Sequence, residues 1–161
     1  MLTINHQKRQ VKIKMMKLHY SIEIEAPREK VWHTMLDPET YKQWTSAFGE
    51  GNYYEGSWDE GAEIKFLMAD EQGGMIAEIA ENRPYEFVSI RQLGMIGAGS
   101  EGGAEPEIVR FEPFYENYTL ADSPGGTELQ IDVDIDPEWA GDMADAWPRA
   151  LAALKRLCEA G

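Results

Sequence analysis

The stretch from Asp136 to the chain end constrains the fold most. Trp139, Met143, Trp147, Leu151, Leu154 and Cys158 recur at intervals of four, four, four, three and four residues. That spacing puts them on one stripe of a helix about twenty residues long. Asp136-Pro137-Glu138 supplies a cap, a first-turn proline and an acid at the positive end of the helix dipole. Pro148 lies inside the stripe and removes one backbone donor, so a kink near Ala144 is expected. A helix apolar on one face must lie against something. Most of the chain before it reads as strand punctuated by turns.

Leu18, Tyr20, Ile22 and Ile24 alternate with polar residues, the pattern of a half-buried strand. Pro27 then opens a short helix carrying Val31, Trp32, Met35 and Leu36, and Asp37-Pro38, a cap followed by a proline, opens a second with Tyr41, Trp44 and Phe48. Strands are expected at Ala62–Met68, Met75–Ala80 and Phe87–Leu93, with a turn at Asn82-Arg83-Pro84. Glu112–Leu120 and Thr127–Ile135 flank Ser123-Pro124-Gly125-Gly126, a hairpin signature. In the last strand Leu129, Ile131, Val133 and Ile135 face one way, and Gln130, Asp132 and Asp134 the other. Earlier, Val11, Ile13 and Met15 alternate too, but the phase slips at Met15-Met16. Residues 1–15 are therefore read as a basic extension and 16–161 as a single domain, with Met15 or Met16 as an alternative start of translation.

The chain has 161 residues, enough for one core and one cavity. It holds 15 Lys+Arg and 29 Asp+Glu, a net charge of −14. Five of the bases, and no acid, fall in the first seventeen residues, which leaves residues 18–161 at −19. A body so acidic repels phosphate backbones, so nucleic acid is not an expected partner. The basic leader is either a solvated extension or an arm for an anionic surface. No apolar run reaches the ~18 residues of a membrane span, and no secretory leader is recognisable. One cysteine, Cys158, rules out an internal disulfide, and a cytoplasmic location is expected.

The order of elements resembles the helix-grip fold of the START and birch-pollen-allergen (SRPBCC) superfamily. "IEIEAPREKVWHTMLDPETYKQW" is similar to that family's first strand and two short helices. "EGSWDEGAEIKF" resembles its second and third strands, and "GGMIAEIAENRPYEFVSI" its fourth and fifth. "ENYTLADSPGGTELQIDVDI" and "AWPRALAALKRLCEAG" resemble its last hairpin and the end of its gripping helix. The likeness spans about residues 16–161. It points most to bacterial members related to the C-terminal domain of the activator of the heat-shock-90 ATPase. The resemblance implies an α+β chain in which a curved antiparallel sheet of six to seven strands wraps a long C-terminal helix. Two short helices follow the first strand, and a cavity lies between sheet and gripping helix.

Motifs for chemistry are sparse. His6, His19 and His33 have no partner at metal-ligand spacing, so neither a metal nor another cofactor is expected. Gly97–Gly102 matches G-x-G-x-x-G but precedes more loop rather than a helix. It reads as a surface loop, with a lid over the cavity as the alternative. Asn117-Tyr118-Thr119 has the pattern of a glycosylation site but lies within a strand. Cys158 reads as a buried, inert thiol.

Trp44, Phe48, Phe66, Met68, Tyr118, Trp139, Met143 and Trp147 are expected to face the space between sheet and helix, as core or as cavity lining. Arg91 shares a strand face with Phe87, Ser89 and Leu93, and Glu116 with Phe114, Tyr118 and Leu120. On concave faces both charges would enter the cavity, as an ion pair, as polar anchors for a ligand, or as acid and base. The leading expectation is a module that binds a small hydrophobic or aromatic ligand. The alternatives are a protein-interaction module with a chaperone-type partner and a cyclase or aromatase-type enzyme, in which Arg91 and Glu116 would position or protonate a polyphenolic substrate. No nucleophile, base and orienting group can be identified together, so catalysis has no positive support.

Overall fold

A computed structural model describes residues 14–69, 73–97 and 107–160. Strand β1 (Met16–Ile24) leads into helices α1 (Arg28–Leu36) and α2 (Pro38–Trp44), the latter prolonged by a 3-10 turn at Thr45–Ala47. Strands β2 (Tyr53–Gly56), β3 (Glu63–Leu67), β4 (Gly74–Arg83), β5 (Phe87–Ile96), β6 (Ile108–Ser123) and β7 (Gly126–Ile135) follow. Helix α3 (Pro137–Glu159) ends the fold. The seven strands form one sheet in the order β1-β7-β6-β5-β4-β3-β2, and every neighbouring pair is antiparallel. This is the expected helix-grip arrangement.

Consecutive strands from β2 to β7 pair as they follow one another. β1 instead closes on β7, with Met16 opposite Ile135 and Ile24 opposite Thr127. The period-two pattern of β7 dictates its faces: Thr127, Leu129, Ile131 and Val133 are buried and Asp132 is exposed. Against them pack Trp147, Ala150, Leu151, Leu154 and Cys158 from α3, together with Val31 and Met35 from α1. The N-terminus of α3 is capped as expected, because Asp136 Oδ1 accepts the Glu138 N–H at 2.9 Å. Pro148 lies within the helix without ending it.

Other local expectations need correcting. Asp37 occupies the N-cap position of α2 but its side chain makes no capping bond; it lies 3.7 Å from His33 Nδ1 instead. β4 runs to Arg83, so the turn comes later, at Pro84–Glu86, with Tyr85 at a left-handed φ of 69°. β6 is longer than expected at both ends. β3 stops at Leu67, which leaves Met68 beyond the strand. The leader's alternation at Val11 and Ile13 lies outside the described residues.

The junction of β1, α1 and β7 is tight. Gly126 has φ 146°, and a Cβ there would sit 2.5 Å from the Ile24 carbonyl oxygen and 2.7 Å from the Ala26 nitrogen. Only glycine lets the backbones approach so closely. Beside it, the buried Thr127 hydroxyl donates to the Ala26 carbonyl at 2.7 Å.

Candidate functional site

The stripe of α3 is not uniformly buried. Its C-terminal half is sealed against the sheet, Met143 is half-buried, and Trp139 is 52% exposed. The N-terminal half therefore roofs a space, and that space is a cavity of about 790 Å³ between α3, α2 and the concave face of the sheet. A break in β6 shapes its mouth. Between the pairs Gln92↔Phe114 and Gly94↔Arg110 the register slips, so Phe111, Glu112 and Pro113 face a single residue, Leu93. A bulge bends its strand, and proline is tolerated there because no ladder donor is needed. All three bulge residues line the cavity, and Phe111 stacks on Phe114 at 5.0 Å.

The inner wall is aromatic. Trp147, 3% exposed, meets Phe48 edge-on at 4.8 Å and lies parallel to Tyr20 at 5.9 Å. Trp44 is 6.5 Å from Trp147 and 6.4 Å from Tyr118, and its indole N–H donates to the Met35 carbonyl at 3.0 Å. Tyr41 lies between Trp44, Tyr54 and Phe66. Tyr54 is held by its hydroxyl, which donates to the Leu36 carbonyl at 2.6 Å. Bonds to the chain end of α1 thus fix two of these rings.

One carboxyl group stands in this wall. Glu116, on β6, accepts the Tyr118 hydroxyl at 2.5 Å. The cavity leaves part of its side chain accessible, yet it lies deep among protein atoms. Desolvation pushes its carboxyl above the ordinary 4.5, with the Tyr118 hydrogen bond pulling the other way. Desolvation also raises the phenol of Tyr118, helped by the adjacent Glu116, and that of Tyr41, for the same two reasons in the same order. Glu116 forms no salt bridge with any described residue. Three further polar atoms lining the cavity region lack a partner among the described residues: Gln92 Oε1, Asn52 Oδ1 and Trp58 Nε1. Gln92 is 6% exposed. At the mouth stand Arg110, Glu112, Asp134 and Asp136, with Asp134 held by Lys17 at 2.8 Å.

Of the residues expected here, the cavity brings together Trp44, Phe48, Phe66, Glu116, Tyr118, Trp139, Met143 and Trp147. Met68 and Arg91 do not line it. Met68 is 45% exposed beyond the end of β3. Arg91 belongs to the opposite face of β5 from Ile90 and Gln92, and its Nη1 lies 3.7 Å from Glu78 Oε1. The pairing of Arg91 with Glu116 therefore fails. Sequence reasoning missed Tyr41, Asn52, Trp58 and Gln92. Tyr41 was within reach, three residues before Trp44 on one short helix; Asn52 and Trp58 sit in turns and carry no periodic signal. Cys158 is buried away from the cavity, and desolvation raises its thiol. Residues 98–106, with most of the G-x-G-x-x-G stretch, lie outside the described residues. No helix among the described residues is long and apolar enough to cross a membrane.

The family model for "Activator of Hsp90 ATPase homolog 1-like protein" matches residues 25–159. Among solved structures, protein MLL2253 from Mesorhizobium loti superposes with a TM-score of 0.65 at 18% identity, covering 88% of this chain and 96% of that one. The Aha1 dimer from Colwellia psychrerythraea gives a TM-score of 0.66 at 18% identity, covering 91% and 98%. CalU16 from Micromonospora echinospora gives 0.57 at 16% identity, covering 91% and 75%. At such identities the likeness is one of fold. No curated protein matches the chain.

Proposed function

Because the chain belongs to the Activator of Hsp90 ATPase homolog 1-like family, we propose that it is a binding module of that family, and that its cavity takes a small apolar molecule bearing a ring. The cavity itself carries this reading. At about 790 Å³ it falls within the roughly 300–1,000 Å³ of ligand sites, and such sites are mostly apolar with a few placed polar groups. The aromatic wall of Trp44, Phe48, Tyr118 and Trp147 supplies flat surface for a ring. Glu116, Tyr118 and Gln92 supply the polar contacts. A cyclase-type role needed Arg91 beside Glu116, and Arg91 lies on the other face of the sheet. The buried, unpaired Cys158 suits a reducing compartment such as the cytoplasm.

Titration with naphthalene derivatives, flavonoid-like rings and fatty acids, read by tryptophan emission, tests the proposal. A ring-bearing compound should quench the wild type, and Trp147→Phe should lose most of that signal while keeping the fold. A panel without any binder would refute it. A second reading, docking on a chaperone-type protein, is favoured by one observation: Met95 and Val109, opposite one another on β5 and β6, are large, apolar and exposed. Capture of a protein partner that Val109→Glu abolishes would support it.

A further inference from the structure

We propose that the cavity selects a cation, and that its ligand class is a ring-bearing amine protonated at neutral pH, seated with its ammonium group against Glu116. The inference rests on the reading of the cavity as a ligand site and adds the ligand's charge. Three observations carry it.

The first is a surplus of acceptors. Gln92 Oε1 and Asn52 Oδ1 are buried without a donor, Glu116 receives only the Tyr118 hydroxyl, and against these stands one unpartnered donor, Trp58 Nε1. Buried acceptors left unpaired are costly, so a ligand that brings several N–H donors is rewarded. An ammonium group brings up to three, and an alcohol one. The second is charge. Four carboxyl groups line the cavity, Glu112, Glu116, Asp134 and Asp136, against one guanidinium, Arg110, and of the four only Asp134 is paired by a salt bridge among the described residues, with Lys17 at 2.8 Å. Arg110, Glu112, Asp134 and Asp136 all stand at the mouth. Facing Glu116 itself are Tyr118 on its own strand, Ile90 and Val133 across the sheet, and the ring of Tyr41 from α2. None of these is a cation. The third is the ring wall. Trp44, Tyr118 and Trp147 present π faces within 6.5 Å of one another, and such faces attract a desolvated cation. An anionic ligand would meet the same wall and the same carboxyl groups as repulsion.

Burial shifts Glu116 towards its neutral form. A seated ammonium acts the other way and favours the carboxylate with which it pairs.

The experiment uses three naphthalene probes that differ in charge: 2-(2-naphthyl)ethylamine, 2-(2-naphthyl)ethanol and 2-naphthylacetate. Affinities are measured by calorimetry at pH 7. The amine should bind about tenfold tighter than the alcohol, as expected of one charge-assisted contact, and the acetate weakest. In Glu116→Gln the amine-to-alcohol ratio should fall towards one. Gln92→Leu should lower the same ratio by a smaller factor. Alcohol bound as tightly as amine would overturn the cation proposal and leave the ring site standing. A preference that survives Glu116→Gln would also overturn it, by moving the selection to the acidic mouth. If none of the probes binds, the ligand-site reading fails first.

Discussion

Glu116 is the residue whose energetics most exceed what the sequence displays. Its carboxyl holds a proton more tightly folded than unfolded, because burial penalises the charged form. The folded chain then binds more protons than the unfolded one as pH climbs from about 4.5 to the raised value, so stability falls across that window and stays lower above it. Glu116→Gln should remove the slope. Melting temperatures of variant and wild type should converge near pH 4, and the variant should melt higher at pH 8. A second residue-scale outcome concerns Thr127. Its hydroxyl is the donor to the buried Ala26 carbonyl, and Thr127→Val should cost about 1–3 kcal/mol in urea unfolding. Much of the site was legible at this scale. Phe114, Glu116, Tyr118 and Leu120 alternate with Tyr115, Asn117 and Thr119, which groups Glu116 with the apolar side chains that line the cavity. Arg91 could not be placed, because Phe87, Val88, Ile90 and Leu93 spread apolar side chains over both faces of β5, and period two then gives no phase.

Among elements, α3 and β7 were the most legible, because each buries one face and wets the other. The stripe predicts both ends of α3, and the Asp136 cap fixes the first. The bulge in β6 left no such mark, since one slipped residue set looks like ordinary sequence until the partner strand is known. β2, four residues long, has too few positions to show a period. Two substitutions test the central packing. Leu154, fully buried under the sheet, should cost about 2–5 kcal/mol when cut to alanine. Gly126→Ala should destabilise by about 2–3 kcal/mol or more, because the added carbon meets backbone atoms that cannot swing aside. Chemical unfolding of each variant gives the measurement. A small effect at Gly126 would mean that the β1–β7 end opens more readily than its contacts imply.

For the whole molecule, charge is the dominant property. Residues 18–161 carry −19, so no appreciable binding to duplex DNA is expected at physiological salt. Fluorescence anisotropy showing micromolar, salt-sensitive binding would reverse that expectation and direct attention to the basic residues before position 18. The topology has a consequence in time. Strands β2 to β7 each find a neighbour as soon as the next one exists, but β1 pairs with a segment more than one hundred residues further on. At a synthesis rate of roughly 5–20 residues per second, β1 waits on the order of ten seconds on the ribosome for its partner. Through that interval Leu18, Tyr20, Ile22 and Ile24 form an apolar strand with nothing to pair with. The last hairpin to be made is therefore the one that shields the first strand, and slow codons before it would lengthen the exposure and favour aggregation of the nascent chain.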